Sequence, residues 1–161
     1  MLTRAQLGRL IALLVPLALL GGALGSQYIG GLYPCEMCYW QRWPHAAAIL
    51  LAALAFSAPA ISQRSQTLIL LAALAIAVSG AIGVYHSGVE LGILEGFTTC
   101  TTTARAATNE ELLEQIMKVP LVRCDQVQWS LIGISMAGWN AILSLGGAAL
   151  VTWLILTGRP R

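Results

Sequence analysis

Residues 65–89, SQTLILLAALAIAVSGAIGVYHSGV, decide the fold of this chain. The stretch contains no Asp, Glu, Lys or Arg, and it exceeds the roughly 20 residues that a helix needs to cross the hydrocarbon core of a bilayer. Charge-free stretches of similar length occur at 10–35, 43–63 and 126–158. Because lipid offers no hydrogen-bond partners to the backbone, each stretch is expected to form a helix.

The overall composition supports a protein that lives in lipid. Hydrophobic residues make up 57% of the chain and charged residues only 10%, outside the usual range of soluble globular proteins. Short connections between the first three spans require antiparallel neighbours. We therefore expect an all-α integral membrane protein, a four-transmembrane-helix up-down bundle forming a single membrane domain over 1–161. The expected spans are about 10–30, 39–58, 67–86 and 129–156, with outer loops at 31–38 and 87–128.

The distribution of basic residues predicts the orientation. Five lie in short tails and one tight turn, whereas three of the other four are spread along the long outer loop, so both termini are expected in the cytoplasm. The small net charge of +2 suggests no nucleic-acid partner. A cleaved signal peptide is the alternative for the first span, but its apolar run is longer than an ordinary signal. The inner set is Arg4, Arg9, Arg64, Arg159 and Arg161, and the outer set is Arg42, Arg105, Lys118 and Arg123.

All four cysteines, Cys35, Cys38, Cys100 and Cys124, fall in the two predicted outer loops. That placement fits the oxidising side of a bacterial membrane, where disulfides persist. Pairing by proximity joins Cys35 to Cys38 and Cys100 to Cys124. On the loop-entropy model the first bridge restrains the unfolded chain by only about 2 kcal/mol, against about 3.5 kcal/mol for the second. The Cys-x-x-Cys pair is therefore a poor staple and is better suited to redox exchange.

Cys38 is expected at the N-terminus of the second helix, where exposed N–H groups favour a thiolate. Arg42 follows one helical turn later on the same face, and its permanent charge stabilises the same anion. The alternative role for Arg42 is an interfacial anchor that extends its charge into water, flanked by Trp40 and Trp43.

The electrons released by thiol oxidation need an acceptor, and the chain shows no haem motif, flavin fingerprint or nucleotide loop. A redox centre at a membrane face points, by elimination, to a lipid-soluble quinone beside Cys38 and Arg42. His86 is a candidate contact for such a ring, with an ordinary interfacial histidine as the alternative, and His45 is expected to be interfacial. Residues 108–119 are predicted to form a short amphipathic helix, lying either on the membrane surface or against the loop.

The stretch 33–44, YPCEMCYWQRWP, resembles the quinone-coupled motif of the bacterial DsbB family of disulfide bond formation proteins. The resemblance continues through Tyr85-His86, Cys100, the segment 122–129 (VRCDQVQW) and the segment 136–140 (MAGWN), so it covers the whole chain. Gln41 departs from members that carry an acidic residue there, and Gln126-Val127 replaces a charged pair.

The resemblance implies a location, a partner and a set of roles. The protein would lie in the bacterial inner membrane, with its cysteines facing the periplasm. Cys100 would form the mixed disulfide with a DsbA-like thioredoxin-fold protein, and Cys124 would be the partner of Cys100. Electrons would then move to Cys35 and Cys38, and Cys38 would react with ubiquinone or menaquinone. Arg42 would stabilise Cys38, and His86 would line the quinone pocket.

Three other functions compete with this interpretation. A vitamin K epoxide reductase-like enzyme also couples thiols to quinones, but its quinone-facing Cys-x-x-Cys is expected on a later span. A metal-binding membrane protein would use the four sulfurs as a tetrahedral zinc site, although no cysteine falls on the cytoplasmic side. A scaffold with two inert disulfides predicts thiols that never respond to quinone.

Overall fold

The computed structural model describes residues 2–96 and 122–158. Over these residues the chain forms four helices and one two-stranded hairpin. The helices are α1 (Arg4–Tyr28), α2 (Glu36–Ala55), α3 (Gln63–Glu90) and α4 (Met136–Thr157), and the strands are β1 (Ser130–Leu131) and β2 (Ile134–Ser135).

A side chain caps the N-terminus of every described helix. Thr3, Ser62 and Ser135 each accept a hydrogen bond from the backbone N–H three residues on, which satisfies a donor that the helix itself leaves free. At α2 the cap is Cys35, whose sulfur accepts from the Cys38 N–H at 3.4 Å. The first cysteine of the Cys-x-x-Cys pair therefore ends the loop, and the second lies in the first turn of the helix.

Contacts between helix ends show the direction in which each helix runs. At one end, Gly158 packs against the first turn of α1, and Arg9 of α1 donates a 2.8 Å hydrogen bond to the carbonyl of Ala58, just after α2. At the other end, the hydroxyl of Ser135, before α4, donates to the carboxylate of Glu90, the last residue of α3. Successive helices therefore alternate in direction, with α3 packed between α2 and α4.

Small side chains let the helices approach closely. A Cβ placed on Gly80 of α3 would lie 2.9 Å from Leu145 Cγ, and one on Gly83 would lie 3.0 Å from the carbonyl oxygen of Ala137. Such contacts are the usual basis of helix association in lipid, where apolar burial supplies little driving force. In the half of the bundle near the chain termini, the buried core is Ala12, Ala48, Ala52, Ala55, Ile69, Ala72, Ala73, Ile76, Ala148, Val151 and Ile155.

The fourth helix begins later than predicted. The sequence placed its start at Trp129, but residues 130–135 form the hairpin and the helix starts at Met136. Ile132 (φ 54°) and Gly133 (φ 76°) are both left-handed, as a tight two-residue hairpin turn requires. The absence of charge made this segment look like part of a span, and only Gly133 signalled the turn.

Three of the described helices, α1, α3 and α4, are long and apolar enough to cross a membrane. Helix α2 has 20 residues and is interrupted by polar side chains in its first half. Its length corresponds to about 30 Å, which is about the thickness of the hydrocarbon core. That all four helices span the membrane remains a prediction.

Candidate active site

The Cys-x-x-Cys pair lies at the end of the bundle where α2 begins and α3 ends. The sulfurs of Cys35 and Cys38 lie 3.1 Å apart as free thiols, and Cys35 donates to Cys38. Cys35 is buried and Cys38 is half-buried. Because Cys35 shares its hydrogen with the Cys38 sulfur and lies out of water, the pKa of the Cys35 thiol is raised. Cys35 is thus the protonated member of the pair.

Cys124 reaches the same site from the segment that precedes the hairpin. Its sulfur, the Cys35 sulfur and a ring nitrogen of His86 all lie within 4.8 Å of one another, and all three residues are buried. Met37 and Val89 pack around these groups. Two of the cysteines predicted to exchange across the loops, Cys35 and Cys124, are therefore close enough for their sulfurs to meet.

His86 lies against the cysteines and not at a water interface. Its side chain is buried, with Nε2 at 3.6 Å from the Cys35 sulfur and Nδ1 at 2.9 Å from the amide nitrogen of Gln41. Glu90, one turn later on α3, places a carboxylate oxygen 3.8 Å from the same Nε2. Glu90 was not among the predicted site residues, and its i, i+4 spacing from His86 is the signal in the sequence that points to it.

Arg42 turns towards α1. Its guanidinium donates to the side-chain oxygen of Gln27 at 2.5 Å and to the carbonyl of Ala23 at 3.1 Å, and it lies 5.1 Å from the centre of the Tyr39 ring. Its Nε is buried and has no hydrogen-bond partner among the described residues. These contacts hold the charge inside the bundle beside Cys38, which disfavours the alternative in which Arg42 extends into water.

His45 is buried, and the prediction of an interfacial histidine is wrong. Its Nε2 lies 2.9 Å from the side-chain oxygen of Asn140 and 3.0 Å from the hydroxyl of Ser79. Gln41 is one turn before His45 on the same face of α2, and its side-chain oxygen accepts from the Asn140 amide at 2.7 Å. This polar network joins α2, α3 and α4 directly beneath the cysteines.

A cavity of about 620 Å³ opens beside these residues. Its walls are mainly apolar and carry a smaller number of polar and charged groups, as in typical sites for small organic ligands. Cys35, Cys38, Arg42, His86, Glu90 and Asn140 are among the residues that line it, together with Trp129 and Trp139.

A second depression of similar volume lies elsewhere on the bundle. It is an open groove between α3 and α4, lined by apolar residues such as Leu74 and Leu145 and by Thr152. Within residues 2–96 and 122–158, no titratable residue lines it. The groove therefore has the character of a lipid-facing surface, and the chemistry belongs to the first cavity.

Two predicted features lie outside the described residues. They are Cys100, with its expected role in exchange with a partner protein, and the expected helix at 108–119.

Arg123, within the described part, forms a bidentate ion pair with Asp125, and this guanidinium lowers the pKa of the exposed carboxyl group of Asp125.

Comparison with known proteins gives one family. The model of the family "Disulfide bond formation protein DsbB" matches residues 5–154, nearly the whole chain. No solved structure matches the chain.

Several curated proteins are similar over most of their length. Disulfide bond formation protein B of Methylococcus capsulatus is 33% identical over 156 residues, which cover 89% of this chain and 91% of that protein. Disulfide bond formation protein B 1 of Burkholderia lata is 31% identical, covering 83% of this chain and 80% of the relative. An uncharacterized protein of Rickettsia prowazekii is 24% identical, with 88% and 83% covered.

Proposed function

This chain belongs to the DsbB family of disulfide bond formation proteins, and from that premise we propose that it reoxidises a periplasmic DsbA-type dithiol protein and passes the electrons to a membrane quinone. Membership makes it a disulfide-forming membrane oxidoreductase and sets aside the vitamin K epoxide reductase-like alternative. The observation that carries the proposal is the meeting of Cys124, Cys35 and Cys38 beside the 620 Å³ cavity.

The first step within this chain is exchange between the loops. A thiolate of the partner protein attacks Cys100, the Cys100–Cys124 bond breaks, and Cys124 leaves as a thiolate. Cys124 then attacks the sulfur of Cys35 in the oxidised Cys35–Cys38 pair. The Cys35–Cys124 bond forms, the Cys35–Cys38 bond breaks, and Cys38 leaves as a thiolate. The Cys124 sulfur lies within 4.8 Å of the Cys35 sulfur, and the Cys38 sulfur lies 3.1 Å from it. Among the three described cysteines, Cys35 is therefore the one between the other two, which supports this order.

The site favours negative charge on Cys38. Its sulfur accepts the hydrogen of Cys35, and its backbone N–H belongs to the first turn of α2, where the helix dipole favours an anion. The guanidinium of Arg42 is held nearby by Gln27 and Ala23, so its charge adds to the same effect. Cys38 is therefore the better leaving group and the better electron donor of the pair.

The cavity residues fit a quinone acceptor, either ubiquinone or menaquinone. When bound, such a ring accepts two electrons and two protons to become the hydroquinone. On this chain, Arg42 lines the cavity, so its positive charge would stabilise negative charge that develops on a carbonyl oxygen, and the apolar walls exclude water. Cys38 lines the same cavity, so the reduced sulfur and the acceptor share one compartment.

The site end of the bundle is proposed to face the periplasm of a bacterial inner membrane. The opposite end carries Arg4 and Arg9, and short basic segments mark the cytoplasmic side. Cys100 would meet the thioredoxin-fold partner in the aqueous phase above the site. Both termini would then be cytoplasmic.

The test uses purified protein in detergent, a reduced thioredoxin-fold protein and a soluble ubiquinone analogue, with quinone absorbance as the signal. We expect one quinone reduced for each dithiol oxidised. Cys38→Ser should abolish turnover while the protein stays folded. Thr152→Val, in the lipid-facing groove, is the matched control and should leave turnover unchanged. Turnover that persists in Cys38→Ser would overturn the proposal.

A further inference from the structure

We propose that Gln41 and Asn140 are positioning residues that hold His86 as a neutral imidazole with its proton on Nε2, directed at the sulfur of Cys35. The inference rests on the proposed function, because its purpose is to let Cys35 leave as a thiolate during exchange. The side chains that carry it lie in the polar network beneath the cysteines.

The first step is the orientation of Asn140. Its amide nitrogen lies 3.2 Å from the carbonyl oxygen of Ser79, and a carbonyl accepts hydrogen bonds only. Its oxygen accepts from the hydroxyl of Ser144 at 2.9 Å. The amide of Asn140 therefore presents its N–H₂ to Gln41 and cannot be reversed without placing two acceptors against each other.

Hydrogen bonds to both the oxygen and the nitrogen of its side-chain amide fix the orientation of Gln41. Its oxygen receives the Asn140 N–H at 2.7 Å, and its nitrogen donates to the carbonyl of Met37 at 3.1 Å. The second hydrogen of that nitrogen faces Nδ1 of His86 at 2.9 Å. Nδ1 must therefore accept, so it carries no proton.

His86 then has one place for its proton. A neutral imidazole with an accepting Nδ1 is protonated on Nε2. The Nε2 atom lies 3.6 Å from the sulfur of Cys35 and 3.8 Å from a Glu90 oxygen, and the ring also hydrogen-bonds to the backbone of Cys124. The chain of amides therefore sets which atom of His86 meets the sulfur.

The proton on Nε2 helps one step of the exchange cycle. When a Cys100 thiolate attacks Cys124 of a Cys35–Cys124 disulfide, the Cys100–Cys124 bond forms, the Cys35–Cys124 bond breaks, and Cys35 leaves as a thiolate. Electrons balance within the three sulfurs, and no further oxidant is needed. A buried thiolate is unfavourable, and a hydrogen bond donated by His86 offsets that cost.

The same proton argues against a metal site among these residues. Cys35, His86 and Cys124 are close enough together to ligate one ion. A metal would need the lone pair of Nε2, and hence a proton on Nδ1 against the N–H of Gln41. The oriented amides therefore favour a hydrogen-bond donor over a ligand.

Nitrogen NMR of the histidines tests the assignment directly. The chain has only two histidines, so ¹⁵N-histidine labelling of the reduced protein, purified in detergent without a histidine tag, gives two pairs of ring signals. We expect an unprotonated Nδ1 and a protonated Nε2 for His86. Gln41→Glu should protonate Nδ1 of His86, because a carboxylate accepts where the amide donated. Thr152→Val, in the lipid-facing groove, is the control and should leave both rings as they are.

A protonated Nδ1 in the unaltered protein would overturn the inference, as would a bare Nδ1 in Gln41→Glu. Because neither partner protein nor quinone is present, this failure is distinct from a failure of the proposed function.

The effect of His86 on Cys35 as a leaving group is measured separately. In a Cys38→Ser, Cys100→Ser background, the Cys35–Cys124 disulfide is formed and its reduction by glutathione is timed. Adding Gln41→Leu removes the donor to Nδ1 and should slow the reduction about tenfold, the value of roughly one hydrogen bond to a charged group. An unchanged rate would show that the orientation of His86 does not act on Cys35.

Discussion

The two halves of the bundle have opposite interiors. In the half near the termini, the core cluster consists of Ala, Ile and Val, although Ser65 and Gln66 are also buried there at the start of α3. In the half that carries the cysteines, α2 buries Gln41 and His45, and α3 buries Ser79 and His86.

The difference shows which part of the bundle buries polar groups despite their unfavourable free energy in lipid. A buried amide or imidazole without partners is unfavourable by several kcal/mol in hydrocarbon, and polar groups inside spans usually mark function. Here each buried amide is almost fully hydrogen-bonded, and the network ends at Cys35. The apolar half supplies stability, and the polar half supplies a fixed arrangement of donors around the sulfurs.

The largest expected effect comes from removing the sulfur that links the loops. Cys124→Ser should reduce oxidation of a dithiol partner by about a thousandfold or more, because no other described sulfur contacts Cys35 from that segment. Direct reaction of a small thiol with the Cys35–Cys38 pair should survive, as followed by quinone absorbance. Normal partner turnover in Cys124→Ser would show that the route bypasses this cysteine.

Arg42 gives the next largest effect. Arg42→Ala should raise the apparent KM for quinone by about tenfold to a hundredfold, since it removes the positive charge beside Cys38 and at the wall of the cavity. Arg42→Lys keeps the charge but lacks the planar donor, so it should recover only part of the loss. Unchanged kinetics in both variants would restore a purely interfacial role.

A substitution in the apolar half should change stability alone. Ile69→Ala leaves a cavity in the packed core and should cost about 2 kcal/mol or more in unfolding free energy. Leu74→Ala, on the exposed face of the same helix, is the matched control and should cost far less. The KM for quinone should stay the same in both proteins, and a large shift would mean that the two halves are coupled.

The smallest expected effect is an order of alkylation. At about pH 7, below the ordinary thiol pKa of about 8.5, iodoacetamide should modify Cys38 before Cys35 in the reduced protein. The raised pKa of Cys35 keeps it a neutral thiol up to a higher pH than an ordinary cysteine, so its reaction should emerge only in more alkaline buffer. Mass spectrometry of the peptides gives the order, and earlier labelling of Cys35 would reverse the assignment.

Much of the fold could be predicted because charge-free runs locate helices in lipid, and Cys38 was correctly expected at a helix N-terminus. The start of α4 could not be predicted, because 126–135 lacks charged residues like a membrane span, yet residues 130–135 form a hairpin. The meeting of Cys124 with Cys35 depends on the packing of distant segments, which spacing along the chain does not determine.

The polar network is not evident from any one of its members, because each alone has an ordinary explanation. Gln41 and His45 stand one turn apart on α2, and Asn140 interrupts the apolar run of α4. Polar side chains within predicted spans are expected to pair with one another, so this spacing was a usable signal. It would have indicated that His45 faces inward.

The most direct test of the central claim is whether Cys124 and Cys35 can bond to each other. In the Cys38→Ser, Cys100→Ser double variant only these two cysteines remain, and mild oxidation in detergent should join them within one chain, as read by mass spectrometry of the linked peptides. Two thiols that stay free, or that link only between different chains, would contradict the account.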